Sequence, residues 1–346
     1  MLTSIPSSAS NPKLVRSSTF GLALIAALLL GACGGGGGGS NESAGAAAQP
    51  PIVVTPTSVT AASAGAAQTT GAFQESGAPQ ATGNTATDGL NWFNFRRQQV
   101  GQPPLARTAT IDTAAQGHSR YQQLNDTITH DQTAGRPGFT GVMLLERLTG
   151  AGYAFTRNSY AYGEVLSSTV DQSGFKAAEE LITAIYHRFA VFEPMFREAG
   201  TGSAVSASGR TYFTANFAAD GLTPVLGRSN FTIYPISNQQ GLPTIFFSDF
   251  ESPDPVPNRN QVGYPVSVHA DITSTVIVQS FTIRPRNGAL LQTILLDRAT
   301  DPERTPASAA AIVPVEVLTG GTTYDVEFAG SVDGVAVARA WSFTTR

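Results

Sequence analysis

Residues 162–166 read Tyr-Gly-Glu-Val-Leu, so a single carboxylate, Glu164, stands inside a run of apolar and small residues. A carboxylate that is buried with such neighbours needs a charged or hydrogen-bonding partner. The nearest candidates along the chain are His118, His130 and His187, three of its four histidines. Imidazole and carboxylate groups together hold divalent metals or move protons in proteins. The region between these histidines is therefore predicted to form a pocket around Glu164.

Helical periodicity surrounds this stretch on both sides. A first helix is predicted to begin with Asp88 as its cap, and further helices are predicted over 111–124, 140–148 and 175–186. Residues 211–217 alternate as a strand does. Together these elements predict a domain of mixed helix and sheet.

The positions of the histidines suggest different roles. His118 falls on or beside the buried face of its helix, which favours a core histidine with one hydrogen bond or a place in the cleft wall. His130 is in a loop, where a rigid framework can present a ligand. Glu180 and His187 are seven residues apart and would share a helix face if the helix persists that far.

The first 32 residues are predicted to be a signal peptide, because Lys13 and Arg16 precede the apolar run 20–30. That run is too short for a transmembrane helix, which needs roughly 20 apolar residues. The following Leu-Gly-Ala-Cys, ending at Cys33, resembles a bacterial lipobox. By that resemblance Cys33 carries a lipid anchor, which makes the membrane a partner and places the protein in the bacterial envelope; Gly34 is compatible with sorting to the outer membrane.

Residues 33–88 are predicted to be a disordered tether, because Gly, Ala, Ser and Thr dominate and large apolar residues are few. Cys33 is the only cysteine, so no internal disulfide can form. The formal net charge is −4 and becomes more negative when the signal peptide is removed. This charge argues against nucleic acid as a partner. The oligomeric state cannot be inferred from these residues.

After Asp220 the pattern changes to short alternating stretches, such as 231–234, 266–269, 280–283 and 290–296, separated by turn residues. This pattern predicts an all-β sandwich over 221–346. Residues 318–326 resemble the tyrosine corner of immunoglobulin-like and fibronectin-like domains, which assigns Tyr324 a structural role. The acidic loop 249–254, with Glu251 between two aspartates, is interpreted as an exposed loop in preference to a calcium site.

Several motifs in residues 89–220 occur in the order typical of the CAP superfamily, whose members include cysteine-rich secretory, antigen and pathogenesis-related proteins. These motifs are Asn94-Phe95-Arg96-Arg97, Gly117-His118-Ser119, His130, Arg147-Leu148 with Ala151-Gly152-Tyr153, Gly163-Glu164, His187-Arg188, Gly200-Thr201-Gly202 and the strand 211–217. The resemblance, closest to the cysteine-poor bacterial branch, implies an α-β-α sandwich followed by the immunoglobulin-like domain, an α+β chain overall.

The resemblance also implies a cleft lined by His130, Glu164 and His187. Some family members bind a divalent metal there, and two imidazoles with one carboxylate would suit zinc better than calcium. Val165 replaces the asparagine that commonly follows the Gly-Glu pair of the family. The second acid of the cleft is unassigned: Glu180 fits the helical spacing, and Glu179 is the alternative.

A structural alternative is equally open, in which His130 and His187 hydrogen-bond Glu164 without metal. Tyr162 is assigned to the core or the cleft wall. The resemblance suggests binding of a lipid, another small apolar ligand or a cell-wall component, without catalysis. A metal-dependent hydrolase, with Glu180 or Glu179 as base, and an adhesive protein with an idle cleft are the alternatives.

Overall fold

The computed structural model describes residues 75–346 and, before them, the backbone of two three-residue strands, β1 (Ala26–Leu28) and β2 (Ile52–Val54). Cys33 and, apart from those two strands, the predicted signal peptide and tether up to residue 74 lie outside the described residues, so these assignments stay predictions. No helix in the described part of the chain is long and apolar enough to cross a membrane.

Five helices follow Glu75, and their bounds are α1 (Thr85–Gln99), α2 (Ala109–Asn125), α3 (Leu144–Gly150), α4 (Gly174–Thr183) and α5 (Ile185–Val191). The predicted cap of α1 was wrong. Asn84 caps the helix, since its side chain accepts a hydrogen bond from the Thr87 N–H at 2.9 Å. Asp88 instead accepts the N–H groups of Thr82 and Gly83, so folded structure begins earlier than the predicted end of the tether.

The helices cover a sheet in the order β1-β2-β4-β6-β5-β3. Its remaining strands are β3 (Ala106–Arg107), β4 (Tyr160–Thr169), β5 (Glu198–Val205) and β6 (Thr211–Asp220). The strands β4, β6 and β5 are antiparallel neighbours, and Glu164 pairs with Asn216 of β6. The strand predicted over 211–217 is confirmed within β6.

The two faces of this sheet pack against different helices, because successive side chains of a strand point to opposite faces. Odd-numbered residues, such as Val165 and Phe217, belong to the core that includes α1, α4 and α5. Even-numbered residues, such as Tyr162 and Ala218, pack in a second cluster with α2 and α3. The helices therefore form layers on both sides of the sheet, as predicted, and Glu164 faces α2 and α3.

The remainder of the chain is rich in β-structure. Its strands are β7 (Thr232–Tyr234), β8 (Gln239–Leu242), β9 (Ile245–Phe247), β10 (Gln261–Gly263), β11 (Val266–His269), β12 (Val276–Pro285), β13 (Thr293–Leu296), β14 (Ala309–Pro314), β15 (Thr323–Val332) and β16 (Val335–Thr345). Eight of these strands form two four-stranded sheets, in the orders β13-β14-β11-β7 and β12-β15-β16-β8, and β9 and β10 form a two-stranded antiparallel sheet. The α+β class is confirmed, whereas the immunoglobulin-like assignment stays a prediction.

Tyr324 has the structural role expected of it. Its side chain is buried, and its hydroxyl oxygen accepts a hydrogen bond from the Thr319 N–H at 2.8 Å. The apolar core of this β-rich part, which includes Tyr324, is continuous with the core beneath α1, α4 and α5. The two parts of the chain are therefore packed against each other through a shared interior.

Candidate functional site

Glu164 is fully buried on the α2 and α3 side of the sheet. The Arg147 Nη2 donates to both of its oxygens, each at 2.8 Å, and the His130 Nδ1 lies 2.9 Å from its Oε1. The His118 Nε2 is 3.8 Å from the same oxygen. The structure thus brings together three of the residues predicted for the pocket and adds Arg147, which was known only as part of a family motif.

The arginine decides the charge of this carboxyl group. Burial by itself would raise the pKa of Glu164, but the positive charge of Arg147, with His118 and the hydrogen bond from His130, lowers this pKa to about 2. Glu164 is therefore ionised at neutral pH. A buried ion pair, and not a proton-exchanging acid, occupies the centre of the predicted pocket.

His118 is a core histidine. Its Nε2 lies 2.7 Å from the Thr129 carbonyl oxygen and must donate, while its Nδ1 accepts from the Gln132 side-chain amide at 2.9 Å. Burial lowers the pKa of His118 to about 4, so the ring is neutral near pH 7. Because both ring nitrogens are occupied, His118 supports the site and is not available as a ligand.

His130 differs from His118 in having one nitrogen available. The Glu164 carboxylate can only accept, so the His130 Nδ1 donates to it. The His130 Nε2 is buried and has no hydrogen-bond partner. No hydroxyl or thiol of the described residues is therefore within hydrogen-bond distance of it, which leaves the histidine without the nucleophile of a serine-type catalytic pair.

Two further polar side chains beside Glu164 lack partners. The Tyr162 hydroxyl and both polar atoms of the Asn216 amide are buried without a hydrogen bond. Tyr162 precedes Glu164 by two residues on the same strand face, and Asn216 lies directly opposite Glu164 in β6. The sequence indicated only that Asn216 lies in a strand. Its position opposite Glu164 could be known only from the register of β4 and β6.

His187 does not join this site. It belongs to α5, which packs on the odd-numbered face of the sheet, and its Nδ1 lies 2.9 Å from the Glu251 Oε1. The helical spacing that linked His187 to Glu180 also fails. Helix α4 ends at Thr183, Ala184 is extended with ψ 116°, and α5 starts a new helix axis.

The two candidates for the second acid are elsewhere as well. Glu179 is buried and accepts hydrogen bonds from the Trp92 Nε1 at 2.6 Å and the Arg96 Nε at 2.9 Å. Glu180 lies 4.0 Å from the Lys176 Nζ, and burial raises its pKa to about 7. Both residues are on α4, across the sheet from Glu164.

Comparison with known proteins identifies the family to which this α-β-α domain is similar. Residues 90–217 match the model of the cysteine-rich secretory protein family, CAP. This part of the chain is a CAP domain. No curated protein matches the chain.

Solved structures match over similar lengths. An extracellular protein of Bacillus anthracis that contains an SCP domain is 21% identical, over 39% of this chain and 40% of that one, with a TM-score of 0.33. An outer surface protein of Borrelia burgdorferi is 15% identical, over 38% and 88%, with a TM-score of 0.32. The venom allergen-like protein 4 of Schistosoma mansoni is 13% identical, over 40% and 90%, with a TM-score of 0.27. The chain therefore spans less than half of the first of these proteins.

The CAP domain meets the β-rich part through Glu251, a residue for which sequence analysis assigned no function. The interpretation of its loop as exposed was wrong for Glu251, which is buried. Its Oε1 accepts the N–H groups of Tyr186, at 2.6 Å, and of His187, at 3.1 Å, as well as the His187 side chain. Glu251 thus caps the start of α5 from a distance of 64 residues along the chain, which no local pattern reveals.

Arg188 strengthens the same contact. Its guanidinium donates to the Ile182 carbonyl at the end of α4 and to the Pro265 carbonyl of the β-rich part, at 2.6 and 2.7 Å. The guanidinium carbon also lies 4.9 and 5.1 Å from the ring centres of Tyr234 and Tyr264. The His-Arg motif of this CAP domain therefore joins the two parts of the chain.

A metal ion does not fit the residues around Glu164. Both carboxylate oxygens already contact the Arg147 guanidinium, whose positive charge opposes a second cation, and His118 has no free nitrogen. Among the imidazole and carboxylate groups of the site, only the His130 Nε2 has no partner. Within residues 75–346, no group of three or more His, Cys, Asp and Glu side chains is arranged to hold a metal. This arrangement therefore offers no metal-dependent step.

Proposed function

We propose that the protein is anchored by lipid in the bacterial envelope, and that its CAP domain binds a polar component of the cell wall beside Glu164. The predicted signal peptide and lipobox support a place outside the cytoplasm. The polar site beside Glu164 supports a binding role for the protein in the envelope. This role is recognition and requires no chemical step.

The observation that carries the binding proposal is the group of unpartnered polar atoms around the ion pair. It includes the His130 Nε2, the Tyr162 hydroxyl and the Asn216 amide. Leaving such groups buried without partners costs free energy, and native proteins rarely do so. A ligand that offers hydroxyl, amide or carboxyl groups would satisfy them.

The surroundings of these atoms favour a cell-wall component over a lipid. An ionised carboxylate and a guanidinium at the centre of the site would be costly to cover with an apolar ligand. Two partly exposed aromatic rings adjoin Tyr162: Tyr160 lies on the same strand and Phe155 lies before it, and their rings stack at 4.2 Å. Aromatic surface beside a few placed polar groups is typical of sites for small organic ligands.

Binding is tested by calorimetric titration of the mature chain with soluble peptidoglycan fragments. Tyr162→Phe removes a hydroxyl that makes no hydrogen bond within the protein, so the fold should remain intact. We expect about tenfold weaker binding, the equivalent of about 1.4 kcal/mol. Tyr234→Phe is the matched control, since Tyr234 lies in the β-rich part. Absence of binding by the unmodified chain, or equal affinity of the Tyr162 variant, would contradict the proposal.

The anchor has its own test. Mass spectrometry of the protein from membranes should find acyl groups on Cys33, and Cys33→Ser should move the protein to the soluble fraction. A Cys33→Ser chain that stays with the membrane would show that another segment holds it there.

A further inference from the structure

An exposed apolar surface lies on the segment before α3 and on the end of α2 against which this segment packs. Among residues 75–346, ten large apolar side chains are exposed, and four of them belong to this surface: Leu124 at 41%, and Phe139, Val142 and Met143 at 38% each. The segment meets the helix closely, because a Cβ placed on Gly138 would be 3.0 Å from the Leu124 Cδ1. We call these four residues the apolar patch.

Polar contacts hold the backbone of the patch in place from the inside. The Gln132 side chain accepts the Thr140 N–H at 2.7 Å, and the Gln132 N–H donates to the Val142 carbonyl at 3.0 Å. The Asn125 side chain donates to the Pro137 carbonyl at 2.9 Å. These hydrogen bonds fix the backbone of the segment, and its apolar side chains remain exposed.

The exposure of apolar side chains on a segment with a fixed backbone is unfavourable in water. Apolar side chains gain free energy when they leave water, and contiguous exposed apolar surface usually marks an interaction site. A flexible loop would bury these side chains by collapsing onto the domain. The inward hydrogen bonds oppose this collapse, so contact with a partner outside the domain is the way in which these side chains would leave water.

We propose that the apolar patch contacts the lipid bilayer to which the chain is anchored. This inference rests on the proposed anchor at Cys33. Strand β2 begins 19 residues after Cys33 and is paired with β4 in the sheet. A flexible chain of that length would span roughly 24 Å, so the domain stays close to the membrane surface. Confinement at this range raises the effective concentration of the patch at the bilayer, which makes even a weak contact favourable.

The charges near the patch are compatible with a lipid surface. Arg136 is exposed three residues before Phe139, and a long arginine side chain can keep its charge among the headgroups while its neighbours enter the acyl region. Three acidic residues are close in sequence, and one of them, Asp126, accepts a hydrogen bond from the Tyr212 hydroxyl. The Glu146 carboxylate already accepts the Val142 N–H at 2.7 Å, and Asp131 is exposed before the segment. We therefore expect apolar insertion to dominate over attraction to anionic lipid.

The test uses the intact acylated protein in phosphatidylcholine vesicles that carry bromine on their acyl chains. Phe139→Trp adds a fluorescent reporter at an exposed position, while the native Trp92 and Trp341 are buried and give a constant background. We expect quenching by the brominated lipid and a shift of emission to shorter wavelength. Leu290→Trp is the matched control, because Leu290 is exposed and lies in the β-rich part.

Met143→Trp serves as the second variant and should behave as Phe139→Trp does. Protein that does not float with the vesicles overturns the anchor and the patch together. Protein that floats, with no more quenching of Phe139→Trp and Met143→Trp than of Leu290→Trp, overturns only the membrane contact. A shift that appears without lipid as protein concentration rises also overturns it, since a second copy of the chain would then cover the patch.

Discussion

The Glu251 Oε1 and the His187 Nδ1 are 2.9 Å apart, and both residues are fully or almost fully buried. The contact joins the CAP domain to the β-rich part, and the carboxylate also accepts two N–H groups at the start of α5. A histidine that its family motif would place in a cleft therefore has a structural partner from the following part of the chain. The binding proposal for Glu164 does not depend on His187.

Glu251→Ala should destabilise the whole protein, because three hydrogen-bond donors lose one acceptor. We expect a loss of about 2–3 kcal/mol in the free energy of unfolding, measured by urea denaturation. Asp249→Ala in the same loop is the control and should change this value by less than about 0.5 kcal/mol, since Asp249 is exposed. Equal effects of the two substitutions would show that the Glu251 contacts contribute little.

Glu164→Gln should be costly, because it leaves the buried Arg147 guanidinium without its counter-charge. Removal of one member of a buried ion pair typically costs about 3–5 kcal/mol, and the loss should be visible in urea denaturation. The comparison is Glu327→Gln, whose partner Arg284 and own side chain are both exposed, and whose effect should stay below about 1 kcal/mol. A Glu164 variant as stable as the Glu327 variant would contradict the account of the site.

His118 should make the stability of the protein fall in mild acid. Burial lowers the pKa of His118 from 6.5 to about 4, so the unfolded chain binds the proton more readily between these values. The free energy of unfolding should decrease as pH falls from 6.5 to 4, by at most about 1.4 kcal/mol per pH unit from this group. His118→Gln should reduce that slope. An unchanged slope in the variant would show that His118 is not the group that titrates.

Glu193 should make the stability of the protein fall as pH rises, the opposite of the effect of His118. Its Oε1 accepts the N–H groups of Met195 and of Ile272 in the β-rich part, at 2.9 and 3.0 Å, and burial raises the pKa of Glu193 to about 8. The folded protein therefore holds this proton longer than the unfolded chain, and the associated stability is lost as pH rises from 4.5 to 8.

Glu193→Gln keeps an acceptor oxygen but cannot ionise. Relative to the unmodified chain, the variant should gain at least about 1 kcal/mol of stability between pH 5 and pH 8, measured by urea denaturation at both values. The exposed Glu316→Gln should show no such gain. A pH-independent difference between the Glu193 variant and the unmodified chain would contradict the prediction.

Much of the CAP domain was predictable because local patterns carry the information. The helix predicted over 111–124 is α2, and the strand predicted over 211–217 lies in β6. The helix predicted over 175–186 failed at Ala184, whose extended backbone breaks it although alanine favours helix. Tertiary packing of α5 against the β-rich part outweighs that local preference.

The site was predicted in part for a similar reason. His130 and Glu164 could be paired because a motif order placed both in one region, and the contact between them is present. Glu251 could not be found, since an acidic residue in a proline-rich loop resembles any exposed one. Glu251 is buried because the two parts of the chain pack against each other, and no periodicity in the sequence indicates this packing.

The amino-acid sequence by itself indicated the helices that became α1 to α4, the strand within β6 and the single cysteine. Only the tertiary structure decided that Arg147 neutralises Glu164 and that His187 is held by Glu251. The physical reason is that alternation and periodicity act between near neighbours, whereas a side-chain contact between distant residues depends on how whole layers pack.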